Sequence, residues 1–204
     1  MSRKDDILAK ASRCIDEVYP MPNDINAPFL PTEQFLDEAA EWVIRAVPVR
    51  ALGAGISVSL PEDDTKALTI NEDGSGRVKL QDDFKRLLYF KASDWSRPVI
   101  TPIYDTDIAY SQQFNPFLRG TIFRPVVAIC KGKTELEFFS LRPHNTETTV
   151  EYRYFGYSWA GDSYPQELVD ATAWKVAELV LISIQSLTAA QACAAKVTDI
   201  IQLL

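Results

Sequence analysis

The chain has 204 residues, of which 47% are apolar and 24% charged, a composition close to that of average globular domains, which excludes wholesale disorder. This length suits one domain with an insertion and is too short for several independent enzyme domains. The net charge of −7 leaves no gain from the counterion release that drives binding to phosphate backbones, so we expect no sequence-specific binding of nucleic acid.

Apolar runs in this sequence are short. The longest centres on Leu179–Ile184 and lies between Glu178 and Gln185, well below the ~20 residues that a membrane span requires. The N-terminal residues Met1-Ser-Arg-Lys-Asp-Asp6 are not followed by an apolar run of the signal-peptide type. We therefore expect no membrane span and a protein that stays in the compartment where it is made.

Two helices are expected before residue 50. Residues 3–19 carry an apolar stripe at helical spacing, formed by Ile7, Ala11, Cys14, Ile15 and Val18. Tyr19-Pro-Met-Pro22 ends this helix and begins a proline-rich linker that runs to Pro31. Thr32 is the expected N-cap of the second helix, and Pro48 ends that helix.

A β region is expected from about Gly53 to Trp159, where the apolar period changes from 3.6 residues to 2. Asp73-Gly-Ser-Gly76 and Lys131-Gly-Lys133 predict hairpin turns, because glycine tolerates the positive φ angles of such turns. No crossover helix is recognised between strands, so we expect an antiparallel sheet, sandwich or small barrel. The expected strands are Ile56–Leu60, Ala67–Ile70, Arg77–Leu80, Leu87–Ala92, Val126–Cys130, Glu135–Leu141 and Val150–Phe155.

A helical hairpin is expected at the C-terminus. Ser163-Tyr-Pro-Gln166 has the pattern of a capping box and should begin a helix that runs to about Gln185, and Thr188-Ala-Ala-Gln191 should begin a last helix in the same way. This order predicts an α+β fold in which the N-terminal and C-terminal helices form a bundle around an inserted β domain. The expected divisions are residues 1–50, 51–160 and 161–204.

Residues that usually carry catalysis are scarce. His144 is the only histidine, and we interpret it as a solvent-exposed turn residue because no orienting partner or nucleophile is suggested nearby. The three cysteines, Cys14, Cys130 and Cys193, lie in apolar patterns and are expected to be reduced core residues, not a zinc cluster. We therefore expect no enzyme activity, no cofactor and no metal.

Carboxylate runs occur at Glu62-Asp-Asp64, Asp82-Asp83 and Asp105-Thr-Asp107. None has the full ligand pattern of a calcium loop, with its central glycine and terminal glutamate, so we interpret them as solvated loop charge. A hydrolase that uses paired carboxylates stays open as an alternative, because a sequence does not show spatial separation.

Residues 94–117 form a long, irregular segment that contains prolines and aromatic residues. Compact domains seldom keep such a loop without a partner to contact. Two interpretations are open: the segment is a docking surface, or Trp95, Phe114 and Phe117 close over the β core.

Two stretches carry a recognisable pattern. Val78-Lys-Leu-Gln-Asp-Asp-Phe-Lys-Arg-Leu87 is followed by Trp95-Ser-Arg-Pro-Val99, and Arg124-Pro-Val-Val-Ala-Ile129 is expected to pair with Glu135-Leu-Glu-Phe138. This pattern resembles virion proteins of crAss-like and related Bacteroidales phages, with Gln81 where the pattern has proline. The order of elements is similar to that of the head-to-tail connector proteins of short-tailed phages, in which a helical bundle carries an inserted β domain.

The resemblance implies a structural virion protein, one subunit of a homo-oligomeric ring, expected to be a dodecamer, that stacks under the portal and lines the DNA passage. Helices 165–204 would then contact the portal or a ring, and the loop at 94–117 would contact the next ring. The alternative is a small-ligand-binding or regulatory module that holds an apolar ligand between Tyr89, Phe138 and Tyr154.

Overall fold

A computed structural model describes residues 2–19, 31–60, 67–130, 132, 134–143 and 148–204. His144, the acidic run at 62–64 and most of the expected linker before Pro31 lie outside the described residues.

The described chain is α+β, as the sequence predicts. The helices are α1 (Arg3–Val18), α2 (Leu36–Ala46), α3 (Ile108–Gln112), α4 (Val169–Ser183) and α5 (Leu187–Leu203). The strands are β1 (Ile56–Leu60), β2 (Leu68–Ile70), β3 (Gly76–Lys79), β4 (Phe84–Ala92), β5 (Ile103–Tyr104), β6 (Val127–Cys130), β7 (Glu135–Phe138) and β8 (Val150–Gly156).

The chain divides into a helical unit, residues 1–54 with 157–204, and a β unit, residues 55–156. The observed divisions lie four residues from the expected ones at 50 and 160. The first shift arises because a 3-10 turn, Val49–Leu52, follows α2 within the helical unit. The second arises because the rings of Tyr157 and Trp159 pack against that of Tyr164, with centroids 5.0 Å apart in each pair.

Helix α4 is the centre of the helical unit and packs against α1, α2 and α5. Its buried residues surround the whole helix and include several small ones, which allow neighbouring helices to approach closely. They are Val169, Ala171, Thr172, Ala173, Lys175, Val176, Ala177, Val180 and Leu181. The Lys175 ammonium group pairs with Glu178 at 2.8 Å and lies 4.2 Å from the centre of the Trp42 ring.

The three expected helix caps are wrong. Thr32 has helical backbone angles and caps nothing with its side chain, and the first turn after it is a 3-10 turn. The Ser163 hydroxyl does not cap α4; it accepts the amide N–H of Ser158 at 2.9 Å. A 3-10 turn that starts after Pro165 leads into α4. Thr188 lies inside α5, which begins one residue earlier. A complete capping box is present at α1, where Ser2 and Asp5 cap each other's backbone amides.

Two sheets form the β unit, with strand orders β1-β8-β4 and β2-β3-β7-β6-β5. Both expected hairpins pair as predicted, β2 with β3 and β6 with β7. The expectation of a purely antiparallel region is wrong, because β5 pairs with β6 in parallel. A parallel pair needs a crossover connection, and residues 105–126, which include α3, provide it.

One apolar core fills the space between the inner faces of the two sheets, as in a sandwich. Its centre is aromatic: the centre of the Phe90 ring lies 5.5 Å from the ring centres of both Trp95 and Phe138 and 6.3 Å from that of Tyr152. Gly76 lies directly against this centre, since a Cβ atom there would be 2.2 Å from the Phe138 ring and 2.7 Å from the Thr69 carbonyl oxygen.

Replacing Gly76 with alanine should therefore lower the free energy of unfolding of the β unit by about 1–3 kcal/mol, because the added methyl group overpacks the core. Gly161→Ala is the matched control, since the nearest atom to its added Cβ is 3.8 Å away. Denaturant unfolding followed by tryptophan fluorescence measures both variants. Equal stability of the two variants would contradict the described packing.

Candidate interaction surface

The segment at 94–117 divides between the two interpretations. Trp95 closes over the β core: it is 3% exposed, and its indole N–H donates to the Ser140 carbonyl oxygen at 3.0 Å. Phe114 and Phe117 do not, since they are 66% and 95% exposed.

Exposed apolar side chains continue beyond residue 117. We define the Phe117 surface as the five large apolar residues that are more than half exposed between 108 and 123. They are Ile108 (83%), Phe114 (66%), Phe117 (95%), Leu118 (58%) and Phe123 (69%). The segment expected from the sequence ended at residue 117 and so did not include Leu118 and Phe123. Their exposure could have been suspected because residues 108–126 contain no acidic side chain and only two arginines.

Residues 139 and 140, just after β7, attach this segment to the sheet at three points. The Arg119 guanidinium Nε–H donates to the Phe139 carbonyl oxygen at 2.8 Å. The Val126 amide N–H donates to the Ser140 hydroxyl at 3.0 Å, and Trp95 donates to the carbonyl of the same serine. Ser140 is 1% exposed. Its bond from Trp95 is buried, whereas the bonds from Val126 and Arg119 are part-buried, so the Trp95 bond is the most costly of the three to lose.

Helix α3 is attached to the outer face of the second sheet through Tyr110. The tyrosine hydroxyl donates to the Glu137 carboxylate at 2.6 Å, and the same carboxylate pairs with Arg77 at 2.9 Å. Burial and the hydrogen bond to Glu137 raise the pKa of Tyr110, so the hydroxyl keeps its proton at neutral pH. The Tyr110 ring also meets Phe114 and Phe139 edge to face.

Two further contacts fold the connection after α3 back on itself. Gln113, which is 5% exposed, accepts the Gly120 amide N–H at 2.9 Å and donates to the Ala109 carbonyl at 3.0 Å. Thr121 and Arg124 close a tight turn through reciprocal backbone hydrogen bonds of 3.1 and 2.9 Å. The tip of this turn carries Phe123, so Phe123 is held on the same folded connection as Phe117.

The arrangement is suited to binding an apolar partner. The five side chains together expose an area equal to nearly four whole residues, about 600 Å² in sum, all on one connection of 16 residues between Ile108 and Phe123. Their backbone is held by buried polar contacts, so a partner would meet a surface that is already ordered and would lose little conformational entropy on binding.

The residues expected to hold a small ligand are not assembled into one site. Phe138 and Tyr154 are 0% and 3% exposed and belong to the core. Tyr89 faces the other side of the first sheet, where the Arg153 guanidinium lies 4.9 Å from its ring centre. A concavity of about 460 Å³ on that face is lined by Ser57, Val58, Ser59, Tyr89, Glu151, Tyr152 and Arg153.

The described carboxylate runs make structural contacts. Asp83 accepts the Tyr154 hydroxyl at 2.8 Å, and Asp107 accepts the Tyr104 amide N–H at 2.8 Å. Among residues 2–19, 31–60, 67–130, 132, 134–143 and 148–204, no three histidine, cysteine or acidic side chains are grouped to hold a metal ion.

All three cysteines are buried, in agreement with the sequence expectation. Burial raises the pKa of the Cys14 thiol to about 12 and those of Cys130 and Cys193 to about 11. The thiols therefore stay protonated at neutral pH and are poor nucleophiles.

In the C-terminal helices 165–204, the exposed apolar side chains concentrate at the turn between α4 and α5. We call Ile182 (45% exposed), Ile184 (37%) and Leu187 (62%) the helix-turn patch. A fourth exposed residue, Leu203 (88%), lies at the opposite end of α5. The sequence between Glu178 and Lys196 contains no charged residue.

Fold and surface together define an α+β protein with a helical unit, an inserted β sandwich and an ordered apolar surface on that sandwich. No protein-family model matches the chain, and no curated protein matches its sequence. Within the described residues, no helix is both long and apolar enough to cross a membrane.

We expect Ser140→Ala to loosen the Phe117 surface, because it leaves the part-buried Val126 amide without its hydroxyl acceptor, a loss of about 1 kcal/mol. Hydrogen exchange should become faster at residues 119–126. Ser111→Ala is the matched control, since the Ser111 hydroxyl donates to Ile108 at an exposed site. Unchanged exchange at 119–126 in Ser140→Ala would show that this serine does not hold the segment.

Proposed function

We propose that this chain is a structural protein that works by assembly and catalyses no reaction: a subunit of a phage head-to-tail connector, in the ring below the portal. The observation that carries the assembly role is the Phe117 surface, about 600 Å² of apolar area held in place by buried polar contacts. The connector role rests on the resemblance of residues 78–87, 95–99, 124–129 and 135–138 to phage virion proteins.

The proposed setting is a closed ring of copies, about twelve by the resemblance, between the portal and the tail proteins. The protein would be made in the host cytoplasm and reside in the virion. Its net charge of −7 favours a DNA passage over DNA binding, because a negative lining repels the phosphate backbone and lets the genome slide.

Native mass spectrometry of the purified protein, alone and mixed with the candidate portal protein, tests this proposal. We expect either a closed ring of about twelve copies or a monomer that assembles only on the portal. An unrelated acidic protein of similar size in place of the portal is the control for non-specific association. A monomer or dimer that is indifferent to the portal would overturn the connector role.

A small-ligand-binding module is the second candidate, and the observation that favours it is the concavity beside Tyr89 and Arg153. A ligand bound there would raise the melting temperature of a monomeric protein as its concentration increases, because it binds only the folded form. Tyr89→Ala should abolish that rise, whereas Leu203→Ser, in the helical unit, should leave it unchanged.

A further inference from the structure

The Phe117 surface is large enough to be one side of a stable protein interface. Its apolar area of about 600 Å² is three-quarters of the roughly 800 Å² that each partner contributes to a standard interface. The four largest contributors, Ile108, Phe114, Phe117 and Phe123, are each at least 66% exposed. Aromatic side chains, phenylalanine included, are enriched in protein interfaces relative to the rest of the surface.

Charge argues against pairing of this surface with itself. Residues 108–126 contain two basic side chains, Arg119 and Arg124, and no acidic one. Arg119 is balanced by Asp73 at 3.3 Å, but the exposed Arg124 sits on the same tight turn as Phe123. A symmetric contact would place two copies of Arg124 in one interface with no acid from the segment to offset them, which is unfavourable.

The helical unit has the opposite character. It contains eight basic and fourteen acidic residues, a net charge of −6, whereas the β unit contains thirteen and fourteen, a net charge of −1. Long-range attraction therefore steers the basic edge of the Phe117 surface towards a helical unit.

The helical unit also offers an apolar acceptor. The helix-turn patch exposes Ile182, Ile184 and Leu187 within a stretch of uncharged residues. The patch is neutral and apolar, so burying it against aromatic rings desolvates no charge. The patch and the Phe117 surface are different surfaces of the chain, so a single contact between two copies leaves one patch and one Phe117 surface free.

We propose that the Phe117 surface of one copy binds the helix-turn patch of a second copy, in a head-to-tail contact that repeats from copy to copy. This inference deepens the proposed function, and it rests on that function only in requiring that copies of this chain assemble. A repeating contact of this type builds a ring where its rotation closes and a filament where it does not.

Two blocked variants test the contact. The first, Phe117→Ser with Phe123→Ser, disrupts the Phe117 surface. The second, Ile182→Gln with Leu187→Gln, disrupts the helix-turn patch. All four side chains are at least 45% exposed, so both variants should fold. Each variant alone should associate about 100-fold more weakly than the unmodified chain, the loss expected on removing interface hot spots. Leu203→Ser, which alters an exposed apolar residue outside both surfaces, should assemble normally.

Mixing the two variants is the decisive step. Each retains one intact side, so an equimolar mixture should form a dimer that contains one copy of each variant and should stop there. Native mass spectrometry with one variant isotopically labelled identifies this species. Under the conditions in which the unmodified chain assembles, alone or on the portal, normal assembly of either variant or failure of the mixture to form the mixed dimer would overturn the proposed contact while leaving the connector role in place. An unmodified chain that never assembles, alone or on the portal, would overturn both.

Salt dependence separates the charge argument from the apolar one. Arg124→Gln should slow association and reduce its dependence on ionic strength, with a smaller effect on dissociation, because rim charges act mainly on the rate of encounter. If the association rate of this variant depends on salt as strongly as that of the unmodified chain, Arg124 has no part in the proposed contact.

Discussion

Hydrogen bonds to Phe139 and Ser140 fix the geometry of the exposed segment at residues 94–126 of the β unit. The Ser140 hydroxyl and carbonyl each accept a hydrogen bond from the segment at 94–126, and the Phe139 carbonyl accepts a third. Ser140 is almost fully buried, so water has limited access to these bonds, and losing one leaves a polar group poorly satisfied. Trp95 is thereby held in the core, while Arg119 and Val126 hold the connection that carries the Phe117 surface.

This constraint, together with a core that is already filled, explains why large apolar side chains remain exposed on the connection. The space between the sheets is already filled by Phe90, Trp95, Phe138 and Tyr152, and native cores have no room for extra rings. The connection from β5 to β6 must also cross to a parallel strand, which places it on the surface. Polar contacts from Gln113, Arg119 and Ser140 hold this connection, and its apolar side chains are left exposed.

The sequence predicts the elements and their order well, because periodicity reports which face of a strand or helix is buried. It failed at the caps of Thr32, Ser163 and Thr188, because a capping pattern does not show which amide the side chain will meet; the Ser163 hydroxyl, for example, accepts the amide N–H of Ser158. It also missed the parallel pair of β5 and β6, since a two-residue strand and a five-residue helix have no periodic signal. The residues that resemble phage proteins, such as Val78, Leu136 and Phe138, are core residues, so they report packing more than function.

Burial of the Phe117 surface in an assembly is the central claim, and hydroxyl-radical footprinting of dilute and assembled protein tests it most directly. The account predicts that oxidation of Phe114, Phe117 and Phe123 falls several-fold on assembly, while that of the exposed Leu203 stays constant. Phenylalanines that are oxidised equally in the dilute and assembled protein would show that the assembly leaves this surface uncovered and would contradict the account.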